Sequence, residues 1–479
     1  MTEEAPAAAA DPLASVHTLT LAQIFSQAGI SLAITTYQAG KLILARADGD
    51  VINTHFRTLS KPMGMVADGA RLVVGTTSRI VDFRNVPSAA KRLKPADKHT
   101  ACYLPRATHT TGDIDIHEMA LLGDDVYFIN TRFSCLCKLD RNYSFEPVWK
   151  PSFISAYDVR DRCHLNGLAV RDGKLRYVSA LATTDEPAGW RQHKAAGGVI
   201  IDITNDAIVA DKLSMPHSPR WHMGQLWFLE SGTGSLIGMN TDTGRRTFQC
   251  ELPGFTRGLD FYQNLAFVGI SQVRETAVFS GLKVTKENAV RDCGVWVVDL
   301  NNGKIVGFLK FTGGVQEIFA VSVLPHSFPE VVLDNEQLNR STYVIPDQLI
   351  EQAVSPDANW QSAESIFEQG NQQFNQGRLD SAVALYQKAL EIDASFLPAR
   401  YYLGLAYRQL ESLDEAEQTL LAVVEQEAGH VEAMNVLGCL YAQRQQHELA
   451  RKYLEKALEI RPDFDAARQN LRALPAEGG

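Results

Sequence analysis

A residue pattern that recurs every 34 positions near the C-terminal end constrains the fold of this chain more than any other feature. Small and large apolar residues recur in step, at Gly370, Gly404 and Gly438, at Ala382, Ala416 and Ala450, at Ala389, Val423 and Ala457, and at Tyr386, Leu420 and Leu454. Each interval holds two amphipathic stripes with helical spacing, so each unit is predicted to be a pair of helices. The small residues let the two helices approach closely, and we expect the large apolar residue to pack into the neighbouring unit.

This pattern resembles the tetratricopeptide repeat (TPR), with three units over residues 363–464 and a polar capping helix over 465–474. The resemblance implies an all-α solenoid whose concave groove binds a protein or peptide partner. The groove positions that it implies are Phe367, Asn371, Phe374, Tyr401, Leu405, Arg408 and Asn435. In an alternative interpretation, the aromatic residues among them only stack between repeats.

The groove departs from the TPR subset that clamps the carboxylate terminus of a chaperone. Asn371 matches one clamp position, but Phe367 and Glu432 stand where the clamp needs lysines, and Leu405 stands where it needs an asparagine. Because a carboxylate is held by charge-assisted hydrogen bonds, these replacements argue against such a clamp.

Residues 20–335 predict a different, all-β domain. Short runs rich in Val, Ile, Phe and Tyr alternate with turns such as Asp68-Gly69 and Asp172-Gly173. The runs recur in groups of four, and complete groups begin near Met63, Glu118, Gly167, Ser218 and Arg257. A run like a second strand comes first (32–36) and a lone first strand comes last (317–324), so the two ends are predicted to complete one more blade together. The prediction is a six-bladed β-propeller, or a seven-bladed one if the insertion 84–112 contains extra strands.

Composition and charge exclude several classes of protein. The chain is 45% hydrophobic and 21% charged, as in globular proteins. The net charge of −10 disfavours nucleic-acid binding, and no apolar run is long enough to span a membrane. Seven scattered cysteines argue against a disulfide framework, so a cytoplasmic location is expected. We predict a disordered tail over 1–19 without a secretory signal, a linker over 336–360, and the repeats with their capping helix over 361–475.

Polar residues recur where the predicted blades begin. In a propeller the first strands line the central channel, and the second strands end at the face where the first strands start. The aligned positions are Pro62, His117, Asn166, His217, Arg257 and Gln316, with Met63, Glu118, His164, Ser218, Arg220 and Glu317 beside them. Second-strand ends add Tyr37, Arg132, Asp185, Glu230 and Arg274. Strand alternation lets only some of these side chains point into the channel.

These residue types permit two kinds of site. Imidazoles and carboxylates that converge on one axis suit Zn, Fe or Mn, and the predicted metal ligands are His117, Glu118, His217 and Glu317. Alternatively, imidazoles act as general bases beside arginines that hold an anionic small molecule, and the predicted catalytic residues are His164, His217 and Arg257. The predicted ligand-binding residues are Asn166, Arg220, Arg274 and Trp190, the last on a long loop. In the structural alternative, the same His and Arg side chains only bond to loop carbonyls of neighbouring blades.

Several segments together resemble a family of conserved hypothetical bacterial proteins that has no assigned activity and is often found beside TPRs. They are His117-Glu118, Cys163-His-Leu-Asn-Gly-Leu-Ala, Met215-Pro-His-Ser-Pro-Arg-Trp, Pro253-Gly-Phe-Thr-Arg-Gly-Leu, Phe267-Val-Gly-Ile-Ser and Glu317-Ile-Phe. The layout is also similar to six-bladed gluconolactonase-type and paraoxonase-type calcium enzymes. That similarity implies Glu118, Asn166 and Glu317 as calcium ligands, but the histidines are foreign to it and a further Asp and Asn are missing, which makes calcium secondary.

Three functions are compatible with these patterns. The chain is a scaffold in which both domains hold proteins, or an enzyme with a metal or anionic substrate at the propeller face, or a sugar-binding protein that uses Trp190 and Trp221. Whether catalysis occurs is left open by the residues alone.

Overall fold

The computed structural model describes residues 11–273, 282–285, 292–334, 336–346, 349 and 362–475. The chain divides into two compact units, Met1–Val344 and Ile345–Gly479. The first is a β-propeller and the second is a helical solenoid.

Six antiparallel sheets form the blades of the propeller. In the order first strand to fourth strand, blade 1 contains β5 (Met65–Ala67), β6 (Arg71–Gly75), β7 (Arg79–Asn85) and β8 (Ala101–Thr110), and blade 2 contains β9 (Ile116–Leu122), β10 (Asp125–Asn130), β11 (Cys135–Lys138) and β12 (Glu146–Trp149). Blade 3 contains β13 (Leu165–Arg171), β14 (Lys174–Ala180), β15 (Gly198–Asp202) and β16 (Ala207–Leu213), and blade 4 contains β17 (Pro216–His222), β18 (Gln225–Glu230), β19 (Ser235–Asn240) and β20 (Arg245–Glu251). Blade 5 contains β21 (Phe255–Tyr262), β22 (Leu265–Ser271), β23 (Cys293–Asp299) and β24 (Lys304–Phe311), and blade 6 contains β25 (Ala320–Leu324), β2 (Ser31–Thr36), β3 (Lys41–Asp48) and β4 (Val51–Thr58).

Blade 6 closes the ring as predicted. Its first strand, β25, comes from the far end of the domain and pairs with β2 from the beginning, with Ser31 opposite Leu324. The insertion 84–112 contributes only a short helix, α2 (Pro87–Ala90), and β8, so the propeller has six blades and not seven. The pairing joins the two ends of the domain within one blade, and the blades keep only short outer edges, as is typical of propellers.

Three further elements pack on the outside of the ring. Strand β1 (Ser15–His17) pairs with β24 of blade 5, although the sequence pattern placed these residues in a tail. Helix α1 (Leu19–Ala28) buries Leu21 and Phe25 in the core between blades 5 and 6. Strand β26 (Pro329–Val331) runs parallel to β8 and joins the segment after the last blade to blade 1.

The solenoid consists of three helix pairs and a capping helix, as predicted. Its helices are α5 (Ala363–Asn375), α6 (Leu379–Ile392), α7 (Leu397–Gln409), α8 (Leu413–Gln426), α9 (Val431–Gln443), α10 (His447–Ile460) and α11 (Asp465–Ala473). Before the solenoid lies a short helix, α4 (Gln337–Arg340), in the predicted linker, of which residues 347–348 and 350–360 lie outside the described residues. Among the described helices, none has the length and apolar character needed to cross a bilayer.

The recurring glycines of the solenoid face the recurring large residues of their own repeat. A Cβ atom added to Gly404 would lie 2.7 Å from Cγ of Leu420, and one added to Gly438 would lie 2.5 Å from Cγ of Leu454. The large residue was expected to pack into the neighbouring unit, and the structure shows that it also packs within its own repeat. It first fills the space above the glycine of the partner helix, because that is where the two backbones come closest.

Candidate functional site

Irregularities in the first strands position the side chains at one end of the channel. In blade 2, His117 and Glu118 together oppose the single residue Ile129, and blades 3, 4 and 5 have similar register shifts next to Asn166, Ser218 and Arg257. A β-bulge of this kind breaks the alternation of side chains along a strand and redirects them. The bulges lie at the starts of the first strands, which is where the sequence alignment placed the candidate residues.

A cavity of about 520 Å³ opens at this end of the channel, and we call it the entrance cavity. It is lined by residues from the starts of first strands, the ends of second strands and one long loop. Among the lining residues are Tyr37, His117, His164, Trp190, His217, Arg257 and Glu317. The structure thus brings the three predicted histidines together with Arg257 and Glu317.

His117 and His217 are held by the same set of hydrogen bonds. Nδ1 of His117 lies 3.1 Å from the carbonyl oxygen of Asp115 and 2.8 Å from Oγ1 of Thr131. Nδ1 of His217 lies 2.9 Å from the carbonyl oxygen of Met215 and 2.9 Å from Oγ of Ser231. In both rings the Nδ1 atom therefore bonds to the blade, and Nε2 is the nitrogen that is left for the cavity.

Both hydroxyls also join adjacent blades. Thr131 donates to the carbonyl oxygen of Leu165 in blade 3 (2.7 Å), and Ser231 donates to that of Thr256 in blade 5 (2.6 Å). We call this contact the interblade hydroxyl bridge. The alternative that the histidines themselves bond to the neighbouring blades is wrong for His117 and His217, because the hydroxyls make those bonds instead.

Burial keeps these two imidazoles neutral. His117 and His217 are 9% and 4% exposed. Burial, and next the positive charge of Arg257, lower the pKa of each imidazole well below its ordinary value of 6.5. At neutral pH both rings are therefore uncharged and carry one proton each.

His164 belongs to a carboxylate–imidazole pair. Its Nδ1 lies 2.7 Å from Oδ2 of Asp161, and the same oxygen accepts a hydrogen bond from Nε1 of Trp190 at 2.9 Å. The Trp190 ring also packs on the His164 ring, with 4.4 Å between centroids, and His117 lies edge-on to His164 at 4.8 Å. A carboxylate in this position fixes the orientation and tautomer of an imidazole, as in the general bases of hydrolases.

Charged groups lie beside the histidines, because the Phe319 ring contacts both His117 and Arg257. Nη1 of Arg257 lies 3.2 Å from Oε1 of Glu317, and the guanidinium lies over the Phe319 ring at 3.6 Å from its centroid. Burial raises the pKa of Glu317 to about 7, although Arg257 and a hydrogen bond from Tyr37 oppose that rise. Burial and the nearby Glu317 raise the pKa of Tyr37 to about 12. Near neutral pH, Glu317 therefore neutralises Arg257 only in part.

Three predicted site residues lie away from this cavity, which corrects their predicted roles in a shared site. Both carboxylate oxygens of Glu118 bind the guanidinium of Arg220, at 2.9 and 3.0 Å. Arg220 lines a separate cavity of about 270 Å³, together with Asp260 and Trp221. Asn166 is buried and accepts a hydrogen bond from Ser179 at 2.6 Å. The bulges turn these side chains away from the entrance cavity, and Arg274 lies outside the described residues.

The structure also separates residues that were predicted to share a metal site and a sugar site. Within the described residues, no group of three or more His, Cys, Asp or Glu side chains is placed to hold a metal ion. Glu118 and Glu317 in particular cannot share an ion, because Glu118 is bound to Arg220 outside the entrance cavity. Likewise, Trp190 and Trp221 line different cavities and form no common platform for a sugar.

The predicted groove residues of the solenoid divide into two groups. Phe367 and Phe374 contact Tyr386 and Tyr402 and so belong to the aromatic packing between repeats, with Asn371 accepting from the Tyr386 hydroxyl at 2.8 Å. The others lie on the first helices of the second and third repeats: Tyr401, Leu405 and Arg408 on α7, and Asn435 on α9. Tyr401 packs against His430, and Asn435 accepts a hydrogen bond from Asn470 of the capping helix.

Sequence reasoning missed Asp161, Thr131 and Ser231. Asp161 lies in a loop with positive φ (46°), which no periodic pattern indicates. The sequence does indicate the hydroxyls, because a Ser or Thr recurs at the ends of second strands. Thr35 and Ser271 form the same bridge, to the carbonyl oxygens of Met63 (2.6 Å) and Ile318 (3.1 Å).

Solved structures similar to this chain contain TPRs. The first TPR of Spaghetti (RPAP3), bound to an HSP90 peptide, is 28% identical over 23% of this chain and 88% of its own length, with a TM-score of 0.23. YrrB, described as a TPR protein with an unusual peptide-binding site, is 28% identical over 24% of this chain and 59% of its own, also with a TM-score of 0.23. Human protein O-mannosyl-transferase TMTC1 is 28% identical over 100 residues, and this chain spans 11% of its length.

The two units match two different families. Residues 373–438 and 431–464 match tetratricopeptide repeats. Residues 19–332, from α1 through β26, match the domain of unknown function DUF4915 over more than half of the chain. The chain is thus a member of the DUF4915 family in which a six-bladed propeller is followed by TPRs.

Proposed function

We propose that the propeller binds a small anionic molecule in the entrance cavity and that the TPRs bind a protein or peptide partner. The observation that carries the first part is the Arg257 guanidinium, which lines the cavity wall and, within the described part of the chain, contacts a single carboxylate, that of Glu317 at 3.2 Å. Arginine presents paired N–H donors that suit a carboxylate or phosphate.

The charge around the cavity supports this proposal. Lys61 also lines it, and the nearby carboxylate of Asp115 is paired with Arg132 at 3.2 Å. Among the described residues that line the cavity, Glu317 is then the carboxylate left to balance Lys61 and Arg257, and burial raises its pKa to about 7. An anion that binds Arg257 would favour the protonated form of Glu317, so the cavity can accept negative charge without strong repulsion.

Titration calorimetry with succinate and with inorganic phosphate tests the anion site. Wild-type protein and an exposed control variant, Arg79→Gln, should bind at least one of the two, and Arg257→Gln should lose that binding. The variant should still fold, because Glu317 can take up a proton when its partner is removed. Equal binding by Arg257→Gln and wild type would refute the role of Arg257.

A second candidate function is catalysis of proton transfer, and the Asp161–His164 pair favours it. With Nδ1 bonded to a carboxylate, Nε2 of His164 is oriented as a general base towards the cavity. His217 lacks a carboxylate partner among the described residues, so we assign the base to His164 and leave His217 to ligand binding. Arg257 would stabilise negative charge that develops on the substrate.

Carbethoxylation of histidines by diethyl pyrocarbonate, followed by peptide mass spectrometry, tests this assignment without a known substrate. His164 should react fastest among the cavity histidines, and Asp161→Asn should slow it by at least about tenfold. A His164 rate that is unchanged in Asp161→Asn would exclude the carboxylate-assisted base.

For the TPRs, we propose that the partner lies along α7 and α9. Tyr401, Leu405 and Arg408 share one face of α7 by their spacing, and they offer an aromatic ring, an apolar surface and a positive charge to a peptide. Peptides selected from a random library against the full chain should lose binding to Tyr401→Ala and Arg408→Ala. They should keep binding to Lys456→Ala on the exposed side of α10, and the reverse pattern would place the site elsewhere.

We also propose a cytoplasmic location. The seven cysteines are all free, and Cys135 and Cys137 remain unbonded with 3.5 Å between their sulfur atoms.

A further inference from the structure

We infer that the molecule bound in the entrance cavity carries hydroxyl groups beside its anionic group, so that a hydroxycarboxylate is the ligand class that the cavity recognises. This inference rests on the proposed function, because it specifies the ligand of the same site. It follows from which nitrogen of each cavity histidine holds the proton.

The interblade hydroxyl bridge fixes the proton on His117 and His217. A serine or threonine hydroxyl has one hydrogen to donate. Thr131 and Ser231 donate theirs to carbonyl oxygens of the next blade, so each must accept from the histidine Nδ1. The backbone carbonyl within 3.1 Å of each Nδ1 can only accept as well. A neutral imidazole that donates through Nδ1 has a lone pair on Nε2.

His164 also donates through Nδ1, for a different reason. Its Nδ1 lies next to a carboxylate oxygen of Asp161 that also accepts from Trp190. Three rings from three blades or their connecting loops therefore line one cavity, and each of them donates to the protein through Nδ1. None of the three Nε2 atoms has a hydrogen-bond partner among the described residues.

The hydrogen-bond donors and acceptors that line the cavity determine which ligand fits it. The Nε2 atoms of His117 and His217 can only accept, whereas Arg257 and Lys61 can only donate. An anion without donors would satisfy the cations and leave the imidazoles without partners after water is displaced, which costs binding energy. A hydroxycarboxylate satisfies both sets, because its carboxylate accepts from the cations and its hydroxyls donate to Nε2.

Three four-carbon ligands separate the contribution of negative charge to binding from the contribution of hydroxyl groups. Tartrate has two carboxylates and two hydroxyls, succinate has the same charge without the hydroxyls, and threitol has the hydroxyls without the charge. Calorimetry on the full-length chain in the presence of a chelator should show that one tartrate enantiomer binds at least about tenfold more tightly than succinate, which corresponds to one or two neutral hydrogen bonds. Threitol should bind more weakly than tartrate.

Each outcome has a distinct meaning. Succinate that binds as tightly as both tartrates would overturn this inference and leave the anion site standing. Threitol that binds as tightly as tartrate would support the hydroxyl donors and overturn the anion site, and no binding by any of the three would overturn both. Tartrate that binds only after Zn²⁺ or Ca²⁺ is added would also overturn the inference, because a metal ion would then occupy the lone pairs.

The tautomers can be observed directly, which keeps the inference testable if cavity variants fail to fold. Long-range ¹H–¹⁵N correlation spectra of ¹⁵N-histidine-labelled protein, assigned with His117→Gln and His217→Gln, should show a protonated Nδ1 and an unprotonated Nε2 for both residues. Protonation on Nε2 in either residue would remove the basis of the inference.

Discussion

Replacement of Glu330 by glutamine is expected to destabilise the propeller by about 3 kcal/mol at neutral pH. Glu330 lies on β26, the strand that joins the segment after the last blade to blade 1, and it is 5% exposed. Its carboxylate lies 2.9 Å from Arg57, 3.1 Å from His55 and 3.4 Å from Arg46, which is itself buried. Glutamine keeps an acceptor in place but leaves the buried guanidinium of Arg46 without a countercharge.

The magnitude follows from the pKa of Glu330. Burial alone would raise it, but the nearby His55 imidazole and the charges of Arg57 and Arg46 outweigh burial and lower the pKa from 4.5 to about 2. A shift of this size corresponds to about 3 kcal/mol of folding free energy. Because the folded-state pKa lies below the unfolded value, this stabilisation is complete above about pH 4.5 and is lost as the pH falls towards about 2.

Urea unfolding followed by tryptophan fluorescence measures this effect on the propeller. Five of the six tryptophans lie between Trp149 and Trp296 in the first unit, and only Trp360 lies in the second, so the signal reports mainly the first unit. The difference between wild type and Glu330→Gln should be about 3 kcal/mol near pH 7 and should shrink to about 1 kcal/mol near pH 2.5. The exposed control Glu146→Gln should change stability by less than about 0.5 kcal/mol. A difference for Glu330→Gln that is absent, or that is the same at both pH values, would refute the reasoning.

Two further substitutions test the packing of each unit. Gly404→Ala should lower the free energy of unfolding of the solenoid by about 1–3 kcal/mol, because its Cβ would collide with Leu420. Unfolding followed by circular dichroism at 222 nm measures this effect. The control is Gly429→Ala, where no atom lies within 4 Å of the added Cβ. Glu118→Gln should destabilise the propeller by about 3 kcal/mol in the same fluorescence assay, because it removes the buried carboxylate that binds the half-buried Arg220 guanidinium through both oxygens. An unchanged midpoint would show that this pair is not stabilising.

The blade order could be predicted from the sequence because it depends on patterns that the sequence displays. Runs of β-branched and aromatic residues and Asp-Gly turns recur in groups of four, so the closing pair β25 and β2 could be matched across almost 300 residues. The solenoid was predictable for the same reason, since Gly370, Gly404 and Gly438 repeat at a fixed interval.

The orientation of individual side chains could not be predicted, because it depends on bulges. One extra residue next to His117 sends that imidazole into the entrance cavity and sends Glu118 to Arg220, yet a bulge leaves the apolar pattern of β9 unchanged. Neighbouring residues that sequence alignment places at the same blade position therefore point to different sites, His117 to the entrance cavity and Glu118 to Arg220. The repeated blade pattern locates the end of the channel that holds the candidate site but not the members of the site.

The interblade hydroxyl bridge connects the closure of the ring to the chemistry of the cavity. A hydroxyl that joined two blades without touching a histidine, as Thr35 does, would affect stability alone. Thr131 and Ser231 also accept a hydrogen bond from a histidine Nδ1, so the bond that holds adjacent blades together determines which nitrogen faces the cavity. Two blades of the same ring repeat this arrangement, with the histidine and the hydroxyl 14 residues apart in each. A stability requirement explains the hydroxyls but not why each is paired with a buried imidazole at the cavity wall, and the proposed recognition of a hydroxylated anion would account for that pairing.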